Sequence, residues 1–217
     1  KKLLNKSYLV TAGPTYEKID PVRFIGNYSS GKMGYSIAEE LAKQGASVTL
    51  VSGPVSVSTN ETGIKVIKVE SAEEMYAASV ALFSGVDGAI MCAAVADFSP
   101  AKKEKVKAKR GKNNWQLELK PTKDIAAELG GMKTKKQLLV GFALETNNEI
   151  ANAENKLQKK NLDFIVLNSL QDKGAGFGVD TNKITLIEKG NKKTEFELKS
   201  KADVAKDIVA KIIELNA

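Results

Sequence analysis

Between Asp20 and Gly34 the chain reads Asp-Pro-Val-Arg-Phe-Ile-Gly-Asn-Tyr-Ser-Ser-Gly-Lys-Met-Gly. Arg23, Asn27, Ser29, Ser30 and Lys32 bring guanidinium, carboxamide, hydroxyl and ammonium groups into one glycine-punctuated segment. Glycine lets backbone N–H groups come close to a ligand. A helix expected to begin near Gly31 aims its positive end the same way. The chemistry this suits is the holding of an anion. Gly26–Lys32 almost spells the phosphate loop G-x-x-x-x-G-K-[ST]. Met33, however, stands where a hydroxyl would meet Mg²⁺, and the segment lies too far behind the preceding strand. Gly13-Pro14-Thr15 does not supply the G-x-G-x-x-G of a dinucleotide site either.

Lys102, Lys103, Lys105, Lys107, Lys109, Arg110 and Lys112 form a second concentration of charge. A solvated loop is one reading of it. A nucleic-acid contact is another, although such surfaces interleave aromatics and here Phe98 and Trp115 only flank the run. A flap closing over a polyphosphate is the third, with Lys105 and Lys107 pointing the same way if the flap is a strand. Composition does not choose among them. Lys156 and Lys160 lie four apart on an expected helix and share its face, where an anion between them would relieve their repulsion; simple solvent exposure is the ordinary alternative. Gly174-Ala175-Gly176-Phe177-Gly178 has no strand-to-helix context and reads as a flexible loop.

The 217 residues contain no His and one cysteine, Cys92. That excludes histidine triads, histidine-ligated zinc and an intrachain disulfide. Chemistry falls to carboxylates, amides, hydroxyls, Lys, Arg and backbone. The net charge of +7 favours an anionic partner. No apolar run nears the ~20 residues of a membrane helix. Few thiols and no leader-like start make a reducing cytoplasm the expected compartment. Lys1 in place of an initiator Met is expected of a processed form or of a piece excised from a fusion.

These residues need positioning elements, and the patterning supplies them. Ser7–Ala12 reads as a buried strand, 32–44 as a helix with Met33, Ile37 and Leu41 on one face and Gly45 ending it. Strands follow at 47–51, 65–70 and 88–95, with a helix between the last two that starts in a Ser71–Glu74 capping box. The rhythm resumes with a strand at 137–142, a helix at 147–160 and a strand at 163–167. A strand is also expected at 115–119, within the polar stretch 97–125. A hairpin of 183–188 and 193–198, turned at Gly190-Asn191, and a helix with Val204, Ile208, Ile212 and Leu215 on one stripe close the chain. The expectation is a single α/β domain over 1–217. Its sheet is Rossmann-like, doubly wound and mostly parallel, and it carries a Lys-rich flap and a C-terminal β-hairpin plus helix.

The 20–34 block, Ala93-Ala94-Val95-Ala96-Asp97, the Lys-x-Lys at 105–107 and Gly141-Phe142-Ala143-Leu144-Glu145-Thr146 together resemble bacterial phosphopantothenoylcysteine synthetase. This is the coenzyme A biosynthesis enzyme often fused behind a flavin-dependent decarboxylase. The resemblance runs from about Tyr8 to the C-terminus. It implies a ligase that turns 4′-phosphopantothenate and CTP into an acyl-cytidylate and pyrophosphate. The amine of L-cysteine then attacks the acyl group, forming an amide and releasing CMP. It further implies Mg²⁺, with metal ligands unassigned, and a homodimer. An exposed strand near Ala94–Ser99 is a candidate for the dimer contact. Bringing a carboxylate to a triphosphate sets anion against anion, so cations must screen them and positioning must do most of the rest.

By the same resemblance Asn27 would hold the substrate carboxylate and then the acyl carbonyl, with Arg23 supporting that pocket. Lys105 would neutralise the triphosphate from the flap. The nucleotide would lie over Met91, Cys92, Ala93 and Asp97. Thr122, Lys123, Asp124, Ile125, Phe142, Lys156 and Lys160 match the remaining nucleotide contacts. The sequence departs from the family in two places. Ala108 replaces the last Lys of a Lys-x-Lys-Lys flap, and Thr122-Lys123-Asp124-Ile125 replaces Asn-Pro-Asp-Ile. Both leave the choice of CTP over ATP open. Cys92 is expected to be a small buried strand residue rather than a nucleophile. The competing readings are a nicotinamide-dependent oxidoreductase, lacking its glycine fingerprint, and a nucleic-acid-binding module built on the 102–112 run.

Overall fold

Runs of Val, Leu, Ile and Ala too short for helices and too continuous for a one-sided sheet become the middle of a parallel sheet covered on both faces. The computed structural model describes residues 1–111, 114–169, 178–190 and 192–216. In chain order the elements are β1 (Ser7–Ala12), β2 (Tyr16–Lys18), β3 (Phe24–Gly26), α1 (Lys32–Lys43), β4 (Ser47–Ser52), β5 (Ile64–Lys68) and α2 (Ala72–Phe83). Next come β6 (Gly88–Met91), β7 (Phe98–Pro100), β8 (Leu119–Pro121), α3 (Ile125–Met132), β9 (Leu138–Glu145), α4 (Glu149–Lys159) and β10 (Phe164–Ser169). The last are β11 (Thr181–Asn182), β12 (Ile184–Glu188), β13 (Lys193–Glu195), β14 (Lys199–Ser200) and α5 (Lys201–Leu215).

The main sheet has eight strands in the order β13-β12-β10-β9-β6-β1-β4-β5. From β5 to β10 all neighbours are parallel, and β12 and β13 add an antiparallel edge. The chain leaves β1 toward β4 and β5 and returns on the other side as β6. That reversal opens a crevice at the carboxyl ends of β1 and β6, the place where such sheets bind ligands. One core lies between the sheet and α1 and α5, with Ile37, Leu41, Ile208 and Ile212 fully buried. The other lies beneath α2, α3 and α4, around Met75, Phe83, Leu129 and Leu157. No described helix is long and apolar enough to cross a membrane.

Local signals explain the helix ends. Ser71 accepts from Glu74 N while the Glu74 carboxylate accepts from Ser71 N, the expected capping box. At the end of α1, Gly45 sits at φ 99, with bonds from Gly45 N to Ala42 O and from Ala46 N to Leu41 O closing a Schellman motif.

Four expectations change. The strand expected at 88–95 stops at Met91. Ala93 N turns to Thr11 Oγ1 and Ala94 N to Gly13 O, so residues 92–95 fold over the end of β1. The strand expected at 115–119 lies at Leu119–Pro121 instead, paired with Phe98–Pro100. The flap is therefore the long loop of the β7–β8 hairpin, and Lys105 and Lys107 are not on a strand. The link from β1 to α1 folds its own hairpin, β2–β3, with Tyr16 stacked on Phe24 at 3.8 Å. Leu215 is exposed rather than part of the buried stripe. Lys112, the glycines at 174 and 176, and Asn191 of the expected C-terminal turn lie outside the described residues.

Candidate active site

A cavity of about 530 Å³ occupies the crevice, a size suited to a small organic ligand. Its walls come from the carboxyl ends of β1, β6, β9 and β10 and from the first turns of α1, α3 and α5. Gly31 starts α1 at φ 78, a left-handed conformation that glycine reaches without strain. Gly34 then lies against β1, where an added Cβ would stand 2.6 Å from the Ala12 Cβ. This close approach seats the amino end of α1 at the cavity edge, and its dipole favours negative charge there.

Asn27 leaves the β2–β3 hairpin and crosses to the opposite wall. Its Nδ2 donates to Ala94 O at 3.0 Å and Val95 O at 3.3 Å. The loop it meets is braced in turn. Ala96 N donates to Thr15 Oγ1 at 3.0 Å, Thr122 Oγ1 donates to Ala96 O at 2.6 Å, and Thr122 N donates to Asp97 O at 2.9 Å. Met91, Cys92, Ala93 and Asp97 share this wall with Asn27. Burial pushes the Cys92 thiol up to about 12, against the opposing pull of the Lys201 charge, which suits a packing residue and not a nucleophile.

Thr122, Lys123, Asp124, Ile125, Phe142, Lys156 and Lys160 also line the cavity, although they come much later in the chain than the first wall. Asp124 caps α3 through Ala127 N at 3.0 Å and pairs with Lys160 at 2.9 Å. Lys156 pairs with Glu145 at 2.6 Å. The two lysines thus face the cavity with separate carboxylate partners. Lys123 lies toward Glu73 at 2.8 Å and over the Tyr76 ring at 4.5 Å, and the Glu73 hydrogen bond raises its pKa.

Two expected residues lie elsewhere. Arg23 does not line the cavity; its guanidinium binds Asp20 and the Ala108 carbonyl. Lys105 is exposed and stands outside the cavity wall. The structure adds residues that sequence reasoning did not single out as ligands, namely Asn168, Asn182 and Lys201. Lys201 begins α5, donates to Val179 O at 2.6 Å, and has its pKa lowered by burial and by the Lys32 charge. Lys32 itself pairs with Asp180. No local pattern marks these positions: Asn168 lies in β10, Asn182 in β11 and Lys201 at the start of α5, and only the fold brings them to one crevice. Among the described residues no cluster of three metal-ligating side chains occurs.

The family described as DNA/pantothenate metabolism flavoprotein C-terminal domain matches residues 3–215. A prokaryotic protein named Cysteine/Cysteine sulfinic acid decarboxylase is 57 % identical over 215 residues, covering 99 % of this chain and 60 % of that protein. The Coenzyme A biosynthesis bifunctional protein CoaBC of Bacillus subtilis (strain 168) is 46 % identical, covering 99 % of this chain and 52 % of that protein. The chain thus spans 52 to 60 % of the length of these relatives. The crystal structure of the C-terminal domain of a CoaBC protein superimposes with a TM-score of 0.83 at 41 % identity, covering 99 % of this chain and 97 % of that one. The chain belongs to the DNA/pantothenate metabolism flavoprotein C-terminal domain family, as the synthetase motifs of its sequence implied.

Proposed function

We propose that this chain joins 4′-phosphopantothenate to L-cysteine through an acyl-cytidylate, converting CTP to CMP and pyrophosphate. The observation that carries the reading is the wall where Asn27 meets Ala94 and Val95, at the crevice between β1 and β6. A carboxylate must be activated there beside a triphosphate, and the cavity supplies the screening. The amino end of α1, Lys32, Lys156, Lys160 and Lys201 surround it. Asn27 contributes a neutral amide that can donate to the acyl oxygen once it exchanges a backbone carbonyl for substrate. Backbone groups of residues 91–93 offer edges to a base, and Phe142 offers a face. Lys105 and Lys107 would reach the phosphates from the flap.

Mg²⁺ fits the donor set as an ion held chiefly by phosphate oxygens and water, since a protein cage is not required for it. Asp97 and Asp124 are exposed carboxylates on the cavity wall; Asp124 is paired with Lys160, and Asp97 would take part in holding the ion. The ion would neutralise charge on the phosphates. A homodimer belongs to the proposal, because exposed Val22, Phe24, Phe98, Trp115 and Leu119 crowd the two projecting hairpins, where a second copy would cover them. A flavin-dependent decarboxylase fused ahead of the chain and a cytoplasmic setting complete it. The decarboxylase named in one relative belongs to a protein of which this chain spans 60 %.

The test incubates the protein with phosphopantothenate, cysteine, Mg²⁺ and each nucleoside triphosphate, and identifies products by mass. CMP, pyrophosphate and the amide are expected with CTP. Asn27→Ala should still release pyrophosphate while amide formation falls at least ~100-fold, the scale of losing one oriented donor. No amide with any nucleotide would overturn the reading.

A further inference from the structure

Asp20 sits in a turn at the edge of the molecule, yet its side chain is completely buried. Its Oδ1 accepts from Val22 N at 2.8 Å and Arg23 N at 2.9 Å. Its Oδ2 accepts from Arg23 Nε at 3.0 Å, Arg23 Nη2 at 2.5 Å and Ala108 N at 3.2 Å. Arg23 Nη2 donates a further bond to Ala108 O at 2.6 Å. Both backbone groups of one flap residue are thus held by one ion pair on the β2–β3 turn. The Trp115 ring covers the guanidinium at 4.7 Å, and Glu104 N donates to Ile19 O at 2.8 Å. The loop between β7 and β8 is therefore tied at residues 104, 108 and 115, each time to residues 19–23.

Untied, such a loop would be spread by repulsion among its own lysines. Here the ties bracket Lys105 and Lys107, which are exposed. The same hairpin leads within a few residues to Asn27. Arginine suits the task because its planar fork can hold a carboxylate with two donors and a carbonyl with a third bond.

We propose that Asp20 is the positioning residue of the lysine flap, setting through Arg23 and Ala108 where Lys105 and Lys107 stand relative to the cavity and to Asn27. The catalytic consequence rests on the ligase reading; the docking itself does not. Trp115 is the only tryptophan in the chain and stacks on the Arg23 guanidinium, so its emission, compared at one protein concentration and oligomeric state, reports the clasp.

The experiment compares wild type, Asp20→Asn and Ala108→Pro, the last removing the flap's N–H donor while also fixing φ at 108 and closing the Lys107 bond to trypsin, so cleavage is compared at Lys102, Lys103, Lys105, Lys109 and Arg110. Limited trypsin digestion, Trp115 emission and pyrophosphate release against CTP concentration are measured on each, with circular dichroism to verify folding. Both variants should be cleaved within 102–110 at least tenfold faster and show red-shifted emission. The KM for CTP should rise at least tenfold, while kcat at saturating CTP changes less than threefold. Arg23→Lys, which keeps the charge and loses the fork, should behave like Asp20→Asn. Wild-type cleavage and emission in folded variants would overturn the proposal. If Asp20→Asn does not fold, Ala108→Pro decides by the same readouts. A wild-type protein with no pyrophosphate release would sink the ligase reading and leave the protease and fluorescence results to judge the clasp.

Discussion

Gly34→Ala should cost far more activity than stability. The added Cβ would lie 2.6 Å from Ala12 Cβ, 3.1 Å from Ala12 Cα and 3.2 Å from Thr11 O. Carbon atoms rest at ~3.5–4.0 Å, so the start of α1 must back away from β1 by about 1 Å. The obstacles are a strand's backbone and a methyl group, neither of which can rotate aside. Overpacking of this kind costs roughly 1–3 kcal/mol. Replacing a helical glycine returns up to ~1 kcal/mol. The net loss of about 1 kcal/mol corresponds to ~2–4 °C in Tm at this chain length. The activity loss follows from displacement, because the first turn of α1 forms a cavity wall. A 1 Å error in a positioning element can cost ~100-fold in rate. Thermal melting by circular dichroism and pyrophosphate release would be measured together. Gly131→Ala is the control, since its Cβ would meet nothing within 4 Å in α3 and should be neutral or stabilising. Wild-type turnover and Tm in Gly34→Ala would refute the reasoning.

Three further outcomes follow from individual groups. With the Cys92 thiol pushed up by burial, iodoacetamide at pH 8 should label the folded protein at least tenfold more slowly than the unfolded one, and mass spectra showing equal labelling rates would contradict this. Burial raises the Asp87 pKa, but hydrogen bonds from Ser7 N and Lys6 outweigh it and hold the carboxyl below its ordinary 3.8. A depressed folded pKa means stability that is present above pH 3.8 and lost as pH falls through the lower folded value. Urea midpoints of wild type and Asp87→Asn should therefore differ most near neutrality and converge in acid, and parallel pH profiles would argue against the pairing. Lys105→Gln should lower pyrophosphate release at subsaturating CTP at least ~10-fold, chiefly through KM, while leaving Tm unchanged because the residue is exposed; near-normal release would count against the proposed phosphate contact of Lys105.

Sequence alone determined the parts whose physics is local. The Val- and Leu-rich runs at β1 and β4, the Ser71 capping box and the Gly45 helix end were each legible within a few residues. The glycine spacing and donor types of residues 20–34 were legible too, since they need no partner to be recognised, and Asn27 and residues 29–34 do line the cavity. Tertiary structure decided what those groups face. The apolar run at 88–95 suggested a longer β6, but the backbone of Ala93 and Ala94 finds other partners in Thr11, 82 residues earlier, and in Gly13. Arg23 looked like a pocket residue, but the fold sets it between Asp20, Ala108 and Trp115. Lys201 carried no signal at all, since a lysine in the first turn of a helix reads as solvated until the sheet crossover lays that turn along the cavity. The reason is general: side-chain type and spacing fix what a residue can do over one turn or one strand, whereas its partner is chosen by contacts that close only when distant segments meet.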